Sequence, residues 1–236
     1  MARLTRHELK KDEFADRLTT VTHVFTQNRR RIILGGGTLL LLVGVSLAVL
    51  LYLRSQQTKA SDALSAALVT YHALVTPAPP QGMTLPHFKT REEKYKEALR
   101  QFTEVSVQFR RRSQGRMARY YAALSQRELG NSAEAEKELT AIARESDPDV
   151  AALAKMALAA LYQQTSRTAE AEKTYRELES NPTALVPKPA VQMALAELYQ
   201  KTNPSQATAL YQQIEKENPG TTAGDQAARM LRGSAP

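Results

Sequence analysis

The chain has no cysteine among its 236 residues. That excludes disulfides, thiol nucleophiles, cysteine-ligated metals and lipid attachment at a mature N-terminal cysteine. Any folded part must therefore stand on packing alone. Histidine is scarce, limited to His7, His23, His72 and His87. No acidic cluster at ligand spacing accompanies His72 or His87, and there is no HExxH pair, phosphate loop or nucleophile elbow. The Gly35-Gly36-Gly37 triplet lacks a following Lys-Ser/Thr. Glu134, Glu136 and Glu138 flank Lys137 on a repeated helix, which suits a solvated face better than acid–base work. These absences predict a protein that is not an enzyme, with no catalytic residue, no metal and no cofactor. Nucleic acid is excluded on similar grounds. The net charge of +8 is mild over most of the chain, and Arg110-Arg111-Arg112 alone makes no recognisable binding module.

Charge is missing altogether from Ile32–Leu53, a run of 22 residues reading IILGGGTLLLLVGVSLAVLLYL. As a helix it would be roughly 33 Å long, which matches a hydrocarbon core of about 30 Å where a helix satisfies its own backbone. A buried core helix would be shorter or interrupted by polar positions. A signal peptide would have an apolar run of ~7–15 residues and a small-residue cleavage site. Here 31 mostly polar residues come first, and Leu50-Leu51-Tyr52-Leu53-Arg54 offers no such site. The expectation is a retained transmembrane helix, with Tyr52 as an interfacial anchor. Gly44 and Ala48 form a small-xxx-small pair, a slight pointer to self-association.

Orientation follows from the flanks. Residues 1–31 carry eight Arg/Lys against four Asp/Glu, with Arg29-Arg30-Arg31 directly before the run. The residues just after it bring only Arg54 and Lys59. The basic-inside bias puts the N-terminus in the cytoplasm and residues 54–236 across the membrane, in the periplasm if this is a bacterial inner membrane. Within the arm, Thr5 and Glu8 have capping-box spacing, and Phe14, Leu18, Val21 and Phe25 make one helical stripe. Two readings stand: an amphipathic helix on the inner leaflet or a membrane partner, or a partly ordered tail.

Beyond the run, Ala60, Leu64, Ala67, Leu68, Tyr71 and Leu74 share a helix face over residues 55–75, a helix that either starts anew or continues the apolar one. Thr76-Pro77-Ala78-Pro79-Pro80 ends it, and residues 81–89 read as irregular. A second amphipathic helix spans about Thr90 to Arg111, through Tyr95, Ala98, Leu99, Phe102, Val105 and Phe109. From there the sequence repeats. YYAALSQRELGNSAEAEKELTAIARESDP at 120–148 is followed by MALAALYQQTSRTAEAEKTYRELESNP at 156–182 and MALAELYQKTNPSQATALYQQIEKENP at 193–219. Ala135, Ala171 and Ala207 are spaced by 36 and 36, and Pro148, Pro182 and Pro219 by 34 and 37. Two short helices per mid-thirties period predict an all-α helical solenoid. No strand-like alternation competes with it.

At these residues the chain resembles the tetratricopeptide repeat family. The small first-helix position is Ala123, Ala159 and Ala196, and the aromatic three residues on is Tyr162 and Tyr199, with Gln126 departing from it. The turn glycine is Gly130, then Ser166 and Asn203. The second-helix alanine is Ala135, Ala171 and Ala207, followed by Leu139, Tyr175 and Tyr211, and a proline closes each unit. The third unit is one residue short in its turn. Stacking should bury most tyrosines from Tyr162 onward.

The resemblance implies a concave protein-binding groove lined by Met117, Tyr120, Leu124 and Arg127, by Leu153, Met156, Ala160 and Gln163, and by Ala190, Met193, Glu197 and Gln200. Methionines at matching positions suit extended or helical peptide. The family's carboxylate clamp is not matched by Tyr121, Ala157 and Ala194.

The resulting layout is a cytoplasmic basic amphipathic arm at 1–31, a transmembrane helix at 32–53, and an irregular hairpin at 54–112 with a Pro-rich insertion at 76–89. Three repeats at 113–219 and a C-terminal cap and tail at 220–236 complete it. That layout resembles the YfgM-type ancillary subunits of the bacterial SecYEG translocon. The resemblance implies protein partners: the translocon, periplasmic chaperones and extended secreted clients. The alternative expectation is a structural subunit of another envelope assembly, such as a secretion, pilus or cytochrome-maturation machine.

Overall fold

A computed structural model describes residues 29–78 and 86–233. The Thr5–Glu8 box and the Phe14–Phe25 stripe lie outside the described residues. Two compact units divide between Thr58 and Lys59, inside the first helix.

In the first unit, helix α1 (Arg29–Tyr71) begins and carries the apolar run. It is long and apolar enough to cross a membrane, and none of the apolar window is buried. Leu40, for example, is 74 % exposed. Thr38 donates its hydroxyl hydrogen to the Leu34 carbonyl at 3.0 Å, so this polar side chain of the run is satisfied within the helix.

The second unit is a stack of helical hairpins. The last turns of α1 pack with α2 (Arg91–Gln108) and α3 (Ser113–Glu128). Then come α4 (Ser132–Ile142), α5 (Pro148–Gln164), α6 (Thr168–Ser180), α7 (Lys188–Thr202), α8 (Pro204–Glu217) and α9 (Thr222–Gly233). Successive helices from α2 to α9 are contact neighbours, and α3 also meets α5. That is the contact pattern of a solenoid.

Each start has a local cause. Thr90 accepts from the Glu93 amide at 3.1 Å and opens α2. Asp147 does the same for Val150 at 3.3 Å, with Pro148 as the first helical residue of α5. Asn203 both ends α7 and caps α8, accepting from Gln206 at 3.3 Å. One residue doing both jobs is how the third unit loses a turn residue.

The structure corrects three expectations. Helix α2 stops at Gln108, with Phe109 as its C-cap, because the chain turns back so that the Arg112 amide reaches the Phe109 carbonyl at 2.8 Å. Pro148 opens a helix instead of closing one, whereas Pro182 and Pro219 do follow helix ends. The short 34-residue spacing from Pro148 to Pro182 joins two prolines of different roles. Finally, the connection after α1 is not wholly irregular. β1 (Leu74–Val75) pairs in parallel with β2 (His87–Phe88), and the Thr76 amide donates to the Phe88 carbonyl at 2.9 Å. A two-residue pair has no alternation to read in a sequence.

Three apolar clusters run along the stack. The first joins Ala60 and Ala67 to Ala98, Phe102, Val105, Phe109 and Ala118. The second joins Ala123 and Leu139 to Ala154 and Leu158, and the third runs from Ala152 and Ala159 through Tyr175 and Leu195 to Ala227. Half-buried tyrosines rivet them together. Tyr71 and Tyr121 pack on both the first and second clusters, and Tyr162 on both the second and third. Tyr121 lies stacked on Phe102 at 5.2 Å, with Tyr71 edge-on at 5.5 Å.

Candidate protein-binding groove

The twelve residues marked for the groove sit on α3, α5 and α7, the first helix of each hairpin. On α3, Met117, Tyr120 and Arg127 are half-buried, with Met117 and Tyr120 against the second cluster, and Leu124 is buried within it. On α5, Leu153 and Met156 are half-buried against the third cluster, with Ala160 and Gln163 also half-buried. On α7, Ala190, Glu197 and Gln200 are exposed, and Met193 is buried in the cluster that also holds Ala227 of α9. Of the matched methionines, Met156 is thus the more accessible. Of the three residues at the clamp positions, Tyr121 is committed to its ring stack, Ala157 is buried and Ala194 is half-buried.

Polar groups frame this surface. Arg127 pairs with Glu128 at 3.0 Å, and Glu128 also receives Arg91 from α2 at 2.9 Å. Burial pushes the Tyr120 phenol up to about 12, so it stays protonated and serves as a neutral aromatic side chain. Burial likewise raises Tyr175 to about 12, and the nearby Glu197 carboxylate adds to the effect. Burial raises Tyr211 too, again with Glu197 contributing. Glu197 therefore has buried phenols as electrostatic neighbours. Among the described residues, no group of three His, Asp or Glu is placed to hold a metal ion.

Two of the α4 carboxylates tie neighbouring elements together. Glu138 binds Arg119 of α3 at 2.9 Å, and Glu136 binds Arg167, the residue before α6, at 2.8 Å. Arg119 also reaches Glu145 at 2.7 Å, and Arg116 binds Asp147 at 2.9 Å. Lys155 of α5 pairs with Glu177 of α6. The sequence marks these residues as surface charge but not as partners, because partners from separate helices share no spacing rule. The expected burial of tyrosines holds for Tyr175, Tyr199 and Tyr211. Tyr162 is half-buried, with the Arg167 guanidinium 4.3 Å from its ring centre.

Stacked two-helix units, riveted by aromatics, define a repeat scaffold. The protein-family model for the tetratricopeptide repeat-like domain matches residues 3–184, and the chain belongs to that family. No curated protein and no solved structure matches it. The family match begins in the N-terminal arm, includes the apolar run and ends before α7. The α7–α8 hairpin nevertheless buries Ala196, Tyr199, Ala207 and Tyr211 as the preceding hairpin buries Ala159, Ala171 and Tyr175.

Proposed function

We propose that this chain is a membrane-anchored scaffold that binds other proteins along the first-helix face of its repeats. One observation carries the proposal. The same chain holds an apolar helical stretch with none of its window buried and a repeat fold whose surface has carbon-rich, half-buried positions. Residues 32–53 sit in lipid, the arginine-rich arm stays in the cytoplasm, and the repeats face the bacterial periplasm. The basic excess of residues 1–31 supports that orientation.

A surface tethered close to the bilayer meets membrane-proximal chains at raised effective concentration, so weak contacts suffice. Met117, Tyr120, Leu153 and Met156 supply adaptable apolar area, and Gln163, Glu197 and Gln200 supply polar ends. Such a surface suits extended or helical segments of emerging polypeptides and of chaperones that receive them, at a translocon of the SecYEG kind.

Photo-crosslinkers placed at Met156 and at Leu42 in cells test this proposal. The expected products are chaperone or secreted chains from Met156 and translocon subunits from Leu42. One constant assembly unrelated to the translocon would overturn the translocon role and make the chain a structural subunit. Capture of nothing but the chain itself would defeat both.

A further inference from the structure

The turn between α2 and α3 concentrates charge that neither the fold nor the groove uses. From Val105 to Arg127 the sequence holds six arginines and no acidic residue. Arg116, Arg119 and Arg127 are engaged by Asp147, Glu138 with Glu145, and Glu128. Arg110, Arg111 and Arg112 have no ion pair or side-chain hydrogen bond among the described residues. With Arg119, Phe109 and Val107 they line an open depression of about 640 Å³. Val107 is 72 % exposed, so a bare apolar side chain stands beside the free guanidinium groups.

The turn is firmly built. A Cβ on Gly115 would lie 2.2 Å from the Phe109 carbonyl oxygen, so glycine alone lets the chain fold back this closely. The α8–α9 turn has the same geometry, with the Asn218 carbonyl 2.2 Å from a Cβ on Gly224. There Thr221 accepts from the Gly224 amide at 3.2 Å and caps the helix. At the matching position Arg112 makes no side-chain cap. Helix stability therefore does not explain an arginine in that place.

The turn is also tied to the start of the repeat unit. Gln114 donates its side-chain amide to the Ser61 hydroxyl at 3.1 Å, and Ser61 follows Leu53 by eight residues. Whatever angle the unit takes, a chain of that length spans at most about 28 Å. If Leu53 ends in lipid, that tether holds Ser61 within about 28 Å of the bilayer surface.

We propose that the Arg110–Arg112 turn, with Val107 beside it, docks on the phosphate headgroups of anionic phospholipid in the membrane that anchors the chain. This rests on the anchor proposed above. Guanidinium groups pair with phosphate oxygens, and Val107 enters the apolar layer beneath. An acidic peptide could meet the charge, but it would leave Val107 in water and lacks the constant proximity that the tether gives lipid. Docking would fix how the repeats face the bilayer.

The chain has no tryptophan, so Gln108→Trp places a single indole at the rim. The full chain carrying it is reconstituted into phosphatidylcholine vesicles with or without phosphatidylglycerol, then floated after a carbonate wash. Brominated acyl chains should quench the indole only when phosphatidylglycerol is present. High salt, or the added R110Q/R111Q/R112Q substitution with helical content retained, should remove the effect. Each arginine contributes about a fivefold preference for the anionic surface. Equal quenching in both compositions, or quenching that survives the triple substitution, overturns the docking proposal. So does a response to soluble polyglutamate without a response to phosphatidylglycerol, which would mark a site for acidic protein. A chain that floats with neither vesicle overturns the anchor and the docking together. One that floats with both but ignores phosphatidylglycerol overturns the docking alone.

Discussion

Ser166 and Gly130 occupy the same point in successive hairpins and the same left-handed backbone, with φ of 63° and 83°. Serine pays for that conformation and glycine does not. Ser166→Gly should therefore raise stability by about 0.5–1 kcal/mol, whereas Gly130→Ala should lower it by about 1 kcal/mol, measured by urea unfolding. A Cβ at Gly130 meets nothing within 4 Å, so the cost there is conformational only. Gly115→Ala is a different case, since its Cβ would strike a backbone carbonyl at 2.2 Å, and a loss of about 1–3 kcal/mol is expected. Gly130 was legible as a turn glycine, because its place in the repeat is fixed. Ser166 hid the same conformation, and the need for Gly115 comes from a fold-back that no local pattern announces. Asp147 adds a pH signature. Its hydrogen bond from the Val150 amide, and then the Arg116 guanidinium, hold its carboxyl below the usual carboxylate range. That stabilisation is complete above the unfolded pKa and is lost as pH falls through the lower folded value. Urea midpoints measured from neutral pH downward should fall less steeply in Asp147→Asn than in the parent chain.

Among the elements, the hairpins were readable wherever a small residue and an aromatic recur at fixed spacing, as at Ala159 with Tyr162 and Ala171 with Tyr175. The rivets between clusters were harder to foresee. Tyr71 and Tyr121 take that role through contacts among three helices, and nothing in either residue's neighbours announces it. These aromatics lead to a testable alkaline limit. Burial pushes Tyr71, Tyr120 and Tyr175 up to about 12, against about 10 in an unfolded chain. The neutral phenols support folding fully below about pH 10, and that support is lost as pH rises toward 12. Tyrosinate absorbance and loss of helical dichroism should therefore rise together across that window. Their separation would mean that these rings are not held in the core. Phe102→Ala, which empties the centre of the first cluster, should cost about 3–5 kcal/mol by urea unfolding.

For the whole molecule, the helical repeat was legible because its mid-thirties period survives without structure, and the charge-free run stood out by length and composition. The proposed groove is less legible. Its positions come from repeat register, which says where they sit along each helix and not how deeply they pack or what they bind. Leu124 and Met193 are buried in clusters. A reporter active only outside the cytoplasm should work when fused after residue 90 and fail before residue 28. The central claim is that the chain is held permanently in a membrane by residues 32–53, with its repeats free to bind protein. Alkaline carbonate extraction of membranes from cells making the full chain tests it most directly. The protein should stay in the membrane pellet, and its appearance in the supernatant as a soluble monomer would contradict the account.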